Sequence, residues 1–158
     1  MKLKGIIETD TINYKKCCMT LEFPICKGFK CDKANGKRVC QNSALATEPD
    51  IEMSATDILK RYINNPITEA ICCQGMEPLD SMSDLLQFIY VVRALCHDPI
   101  VIYTGYEKDE IPDKLELLKK FDNIIVKFGR YLLNRSPKFD EILGVTLASD
   151  NQYAEKIS

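Results

Sequence analysis

From about residue 50 onward the sequence alternates helical and strand patterns three times, and this order constrains the fold more tightly than anything else in the chain. Ser54-Ala-Thr-Asp57 has the form of a capping box, with Asp in place of the usual Glu or Gln. Ile58, Leu59, Tyr62 and Ile63 follow as an apolar stripe at helical spacing, ending near Asn64-Asn65-Pro66. Glu69-Ala-Ile-Cys-Cys73 reads as a short buried strand closed by the turn Gln74-Gly-Met-Glu-Pro78. Ser81-Met-Ser-Asp84 opens a second helix with Leu85, Ile89, Val92 and Cys96 on one face, and Pro99-Ile-Val-Ile-Tyr103 is a β-branched strand. Leu115, Leu118 and Phe121 mark a third helix, and Asn123-Ile-Ile-Val-Lys-Phe128 is another strand. Such an order favours right-handed crossovers and a mostly parallel sheet. Ligands of such sheets sit at the carboxyl ends of the strands.

Leu3 to Ile7 and Cys18 to Phe23 read as two earlier strands, the second ending at Pro24. A loop of about residues 24–42 follows, containing Cys26-Lys-Gly-Phe-Lys-Cys31-Asp-Lys-Ala-Asn-Gly-Lys-Arg-Val-Cys40. This loop, the Gly75–Glu77 turn and Thr104-Gly105 each follow a strand, so all three are expected on one rim. Three thiolates in a loop can surround one inorganic centre. Three rather than four point to an iron–sulfur cluster with one iron open to a ligand, whereas a closed structural site wants a fourth. Zinc, with Cys17 or Cys18 as fourth ligand, and plain free thiols are the other readings of these residues. Cys17, Cys18, Cys72, Cys73 and Cys96 lie on apolar strands or a helix face and read as core thiols, Cys73 being nearest the turn. His97 is the only histidine and directly follows a helix, where a cation suits the C-terminal dipole. With no second histidine, a His-based triad or multi-histidine metal site is untenable.

At 158 residues and 46% hydrophobic, residues 1–158 suit one domain with a real core. A net charge of −2 gives no global case for nucleic acid or an anionic membrane. No apolar run approaches the roughly 18 residues of a membrane helix. Met1-Lys-Leu-Lys4 leads into a strand rather than a signal peptide, and eight cysteines without a secretion signal suggest a reducing cytoplasm. Lys27, Lys30, Lys33, Lys37 and Arg38 form either a solvated loop or a surface for an anionic partner.

Five short segments carry a further signal: Lys4-Gly-Ile-Ile-Glu8, Cys40-Gln-Asn42, Gly75-Met-Glu-Pro-Leu79, Tyr103-Thr-Gly-Tyr106 and Leu147-Ala-Ser-Asp-Asn-Gln152. Each is weak alone. In this order, over nearly the whole length, they resemble the radical S-adenosylmethionine activating enzymes, most closely the activators of anaerobic (class III) ribonucleotide reductase. The chain departs from that pattern in three places. The cysteines are separated by four and then eight residues, where the family has three and then two. Asn13-Tyr-Lys-Lys16 replaces an Asp-Gly-Pro-Gly element, and Met76 stands where the binding turn has its second glycine.

The resemblance implies an α/β fold of radical S-adenosylmethionine type: an open partial (βα) barrel of mostly parallel strands with helices outside, too short to close an eight-fold barrel. It implies that Cys26, Cys31 and Cys40 hold three irons of a 4Fe–4S cluster, and that S-adenosylmethionine takes the fourth through its amino and carboxylate groups. The reduced cluster then breaks a carbon–sulfur bond, and the 5′-deoxyadenosyl radical takes a hydrogen atom from a partner's glycine. Glu77 would attract the ammonium group, with Gly75 and Met76 bringing backbone close to it. The Thr104 hydroxyl would bond the methionyl carboxylate, and Val39 would flank the adenine. The implied partners are the large subunit of the anaerobic reductase and an electron donor such as flavodoxin or ferredoxin, with the lysine-rich loop near the docking rim. The alternatives are a radical S-adenosylmethionine enzyme acting on a small molecule, and a non-catalytic iron–sulfur or zinc-binding interaction module.

Overall fold

The computed structural model describes residues 1–158. In chain order the elements are β1 (Lys2–Leu3), β2 (Gly5–Asp10), β3 (Cys18–Phe23), α1 (Lys30–Asn35), β4 (Ile51–Glu52), α2 (Ala55–Ile63) and β5 (Ala70–Gly75). They continue as α3 (Met82–Arg93), β6 (Ile100–Tyr103), α4 (Pro112–Leu118), β7 (Ile124–Phe128), β8 (Lys138–Asp140), β9 (Val145–Leu147) and β10 (Tyr153–Lys156). Six strands form one sheet in the order β10-β7-β6-β5-β3-β2. Its centre, β3, β5, β6 and β7, is parallel, and both edge strands run antiparallel to their neighbours. Parallel neighbours need long crossovers, which α2, α3 and α4 supply. The sheet is open, because β2 and β10 are its edges and do not pair with each other. The result is a mixed α/β fold with a mostly parallel central sheet.

The helical pattern after residue 50 is reproduced, with differences at the element ends. Ser54 caps α2 by accepting the Asp57 N–H at 3.0 Å. The Asp57 carboxylate answers through the Ser54 hydroxyl at 2.7 Å rather than through the Ser54 backbone. A short 3-10 turn, Pro78–Ser81, precedes α3, and the Ser81 side chain does not cap that helix. Phe121 lies beyond the end of α4 yet still packs on the core. The strand expected over Leu3 to Ile7 is split at Lys4 into β1 and β2.

The sheet buries two unequal faces. The larger core packs Met19, Leu21, Ile71, Ile100 and Val126 of the strands against Ile58, Phe88, Ile89 and Leu115 of the helices. On the other face Cys18, Ala70, Cys72, Val101 and Ile125 are covered by Tyr14, Leu143 and Leu147. The segment after β2 and the β8–β9 hairpin meet there, the Lys15 N–H donating to the Leu143 carbonyl at 2.7 Å. They pack directly on the amino-terminal half of that face, and towards its carboxyl end Asn13 and Val145 to Ala148 stand around a cavity.

Asp10 anchors the first of these covering segments. Its carboxylate, 5% exposed, accepts from the Ile12 and Asn13 amides, the Asn13 side chain and the Thr20 hydroxyl. Burial alone would raise its pKa, but the four bonds outweigh burial and hold it below the ordinary 3.8. A depressed carboxylate stabilises the fold above its unfolded pKa, and that share is lost as pH falls through the folded value. Asp10→Asn is therefore expected to destabilise by about 1.5–3 kcal/mol near neutrality. In urea unfolding followed from about pH 7 to about pH 3, the gap between variant and wild type should narrow below about pH 4. A gap that stays constant over that range would show that the Asp10 charge is not the stabilising feature.

Candidate metal centre and its cavity

The parallel register builds the floor of the site. Cys72, Val101 and Ile125 lie on the face away from the helices, and two residues further along each strand come Gln74, Tyr103 and Lys127. Side chains two apart share a face, and Tyr103 pairs directly with Lys127 across β6 and β7. This polar row underlies a cavity of about 340 Å³ at the carboxyl ends of the strands.

Cys26, Cys31 and Cys40 all line that cavity, and they are the only three of the eight cysteines that do. The segment carrying them is not all loop, since Cys31 sits on α1. Gly28 at φ 89° and Phe29 at φ 44° turn the chain sharply into this helix, and Gly36 at φ 65° turns it out. Asp32 then clamps the remainder, its Oδ1 accepting the Val39 N–H at 2.7 Å and the Cys40 N–H at 2.8 Å. Asn35 pins α1 to the segment after β7: its Nδ2 donates to the Cys31 and Tyr131 carbonyls, and its Oδ1 accepts the Leu133 N–H. The long spacing between Cys31 and Cys40 thus closes on a defined geometry.

Burial pushes the Cys26 and Cys40 thiols above the ordinary value, so in the metal-free chain they favour the protonated form. All eight thiols are free, and no three His, Cys, Asp or Glu side chains are gathered tightly enough for a single metal ion. Cys17 and Cys18 are not on the cavity wall, and Cys18 is fully buried with its Sγ donating to the Lys16 carbonyl at 3.3 Å. Three thiols spread around a cavity fit a multi-iron cluster better than a four-coordinate ion.

On the facing side, Gly75 takes φ 93°, and a Cβ there would lie 2.7 Å from the Phe23 backbone nitrogen, so glycine is required. Its carbonyl accepts the Asn42 Nδ2 at 2.6 Å, tying the end of the cysteine segment to the turn after β5. Glu77, only 2% exposed, accepts the Leu79 N–H at 3.2 Å, the Thr104 hydroxyl at 2.8 Å and the Gly105 N–H at 2.8 Å. Burial raises its pKa despite those bonds and the Lys30 charge. No Lys or Arg pairs with it.

Of the residues expected at the site, Gly75, Met76, Glu77 and Thr104 line the cavity together with the three cysteines. Val39 does not, its amide being held by Asp32 instead. The single hydroxyl proton of Thr104 is directed at Glu77. Lys30 is not part of a free docking rim. Its ammonium lies 3.3 Å from Asp80 and 3.8 Å from the centre of the Tyr106 ring, and its side chain is 15% exposed. His97 is exposed and 2.6 Å from Asp122, remote from the cavity lining. Cys73 is wholly buried in the main core. The sequence reading missed Lys127 and the wall formed by Val145 to Ala148 and Gln152. A lysine inside an otherwise apolar buried strand was the available signal, because lysine is almost never buried without a partner.

An α/β sheet with three free thiols and a buried acid around its carboxyl-end cavity defines a cofactor-binding domain. A family profile for the 4Fe-4S single cluster domain matches residues 21–144, 124 of the 158. The chain belongs to that family and is an iron–sulfur, metal-binding protein. The matched span contains Cys26, Cys31, Cys40, Glu77, Thr104 and Lys127. A comparison with curated proteins finds no match. No helix is long and apolar enough to cross a membrane.

Replacing Cys26, Cys31 or Cys40 by Ala is expected to abolish the iron-dependent visible absorbance after anaerobic reconstitution, or to leave a degraded cluster. Cys96→Ala, whose thiol lies outside the cavity lining, should keep the full signal. Iron and sulfide analysis alongside the spectra checks this, and four irons retained in Cys31→Ala would dismiss the assignment.

Proposed function

We propose that the chain is a radical S-adenosylmethionine activating enzyme that installs a glycyl radical on an anaerobic ribonucleotide reductase. The observation that supports this reading most is the sharing of one cavity by Cys26, Cys31, Cys40 and the unpaired buried carboxylate of Glu77. Cys26, Cys31 and Cys40 would hold the 4Fe–4S cluster, which would supply the electron for reductive cleavage of S-adenosylmethionine and so the hydrogen-abstracting chemistry directed at the partner's glycine.

The residues of the chain supply position. Asp32, Asn35 and Asn42 hold the cysteine segment against the turns after β5 and β7. Glu77 offers a fixed negative charge to the ammonium of the substrate's amino-acid end, a charge-assisted bond worth about 1.5–3 kcal/mol. Thr104 and the Gly105 amide keep that carboxylate from rotating. Met76, Tyr103 and Leu147 line the same cavity and give part of its wall apolar surface. The reductase would present its glycine at the mouth of the cavity, and a flavodoxin or ferredoxin would deliver the electron.

The test is electron paramagnetic resonance on the anaerobically reconstituted, reduced chain with S-adenosylmethionine and the reductase. The expected result is faster S-adenosylmethionine cleavage on adding the reductase, with a stable glycyl doublet on that partner. A reductase with its radical glycine changed to alanine should give no doublet. A doublet persisting in that control, or rapid cleavage with none from the wild-type partner, would transfer the assignment to a small-molecule substrate. An intact cluster with no cleavage at all would leave the non-catalytic module.

A further inference from the structure

Two cations line the cavity, and only one of them has an acid of its own. Lys30 pairs with Asp80 at 3.3 Å. Lys127 joins no ion pair. Its neighbours in β7, Ile125, Val126 and Phe128, are apolar, and the residue is 6% exposed. Its Nζ donates to the Gly129 carbonyl at 2.8 Å and lies 5.8 Å from the centre of the Tyr103 ring. A buried ammonium in such surroundings is costly unless a negative charge stands near it.

The bonds around Lys127 lead to Cys31. Two residues beyond Gly129, the Tyr131 carbonyl accepts the Asn35 Nδ2 at 2.9 Å, and the same Nδ2 donates to the Cys31 carbonyl at 2.7 Å. Helix α1 is thus fastened to the segment whose start Lys127 holds, and Cys31, Lys127, Gly129 and Tyr131 all line one cavity. Burial lowers the Lys127 pKa to about 8, and the charge that most opposes this is that of Cys31, ahead of Glu77. Near neutrality the side chain remains mostly an ammonium.

One-electron reduction of a cluster adds a negative charge to a centre already bearing thiolates. A fixed positive charge in a poorly screened site favours the state that holds the extra electron. We propose that Lys127 is a tuning residue that raises the reduction potential of the cluster held by Cys26, Cys31 and Cys40. The electron comes from an external one-electron reductant and ends on the cluster, with no bond made or broken. The inference rests on that three-cysteine ligand set and makes no use of S-adenosylmethionine.

The experiment is a potentiometric titration of the anaerobically reconstituted full chain at pH 7, with dithionite and redox mediators and without S-adenosylmethionine. The reduced cluster is counted by electron paramagnetic resonance, and iron and sulfide are assayed in each sample. Lys127→Met and Lys127→Gln should make reduction roughly 10- to 100-fold less favourable, a midpoint about 59–118 mV more negative for a one-electron couple. Lys127→Arg keeps the charge and should restore most of the wild-type midpoint. Lys33→Met removes an exposed cation only two residues from Cys31, and solvent screening should hold its effect below about twofold. If neither neutral variant loads a cluster but Lys127→Arg does, the same need for a positive charge is read at assembly. An unchanged midpoint in cluster-loaded neutral variants, an equal shift in the Arg variant, or loss of the cluster in all three makes Lys127 a structural residue. The proposal then falls and the enzyme assignment stands. Four irons retained in Cys31→Ala would instead remove the ligand set, and this tuning role with it.

Discussion

The carboxylate of Glu77 is the junction on which the cavity end of the fold depends. It stands at the carboxyl end of β5, 2% exposed, and receives one donor from its own turn and two from the turn after β6. Those bonds join two βα turns that the sheet itself leaves unconnected, since the β5–β6 pairing ends at Cys73 and Ile102. Removing the acceptor would orphan the Leu79 and Gly105 amides and the Thr104 hydroxyl in a dry site, where each unmatched donor costs about 1–3 kcal/mol. A neutral amide could satisfy part of this network. A carboxylate does more, because it adds an acidic group to the cavity wall that forms no salt bridge with any Lys or Arg of the protein.

The cysteine segment is fastened to this junction rather than to the sheet. Asn42 reaches the Gly75 carbonyl, and the Lys27 N–H reaches Asp80 at 2.6 Å. Asp80 also receives Tyr106 and Lys30, so an acid in the turn after β5 gathers both the start of the cysteine segment and the turn after β6. Asn35 adds the segment after β7. Three parallel strands thus each contribute a turn that holds one part of the thiol-bearing segment. This explains how a loop with wider gaps between its cysteines than the resembled pattern still brings all three thiols to one cavity.

The sequence exposed the order of elements because each helix and strand is buried on a defined side, so its apolar period survives in the residues themselves. Cys18 to Phe23 was legible to the residue, being a strand buried along nearly its whole length. The break at Lys4 was not, because it follows from pairing β1 with the distant β4. Helix α1 was hidden for a different reason. It has no buried residue and so no apolar stripe, and tertiary clamps at Asp32 and Asn35 hold it in place. The turn residues Gly75, Glu77 and Thr104 were visible because they sit in compact motifs. The place of Lys127 in the cavity was not, since only the register sets this lone lysine beside Tyr103 on the cavity floor.

Two unpaired buried charges also bear on why the site is open at all. If a cavity is lined by apolar groups, the chain gains by collapsing onto it, and close packing would follow. Collapse here would press Gln74, Tyr103 and Lys127 against thiols and the edge of a carboxylate, stripping water from an ammonium that has one carbonyl for company. Tyr14, Leu143 and Leu147 pack on the apolar rungs one step earlier, at Cys72, Val101 and Ile125, while Asn13 and Val145 to Ala148 of the same covering segments reach on to wall the cavity. The boundary between filled core and empty cavity therefore falls where the strand sequences change from apolar to polar on the same face. The cavity's position is encoded in two residues' difference along three strands, and the polar row at its floor resists the collapse that an apolar lining would favour.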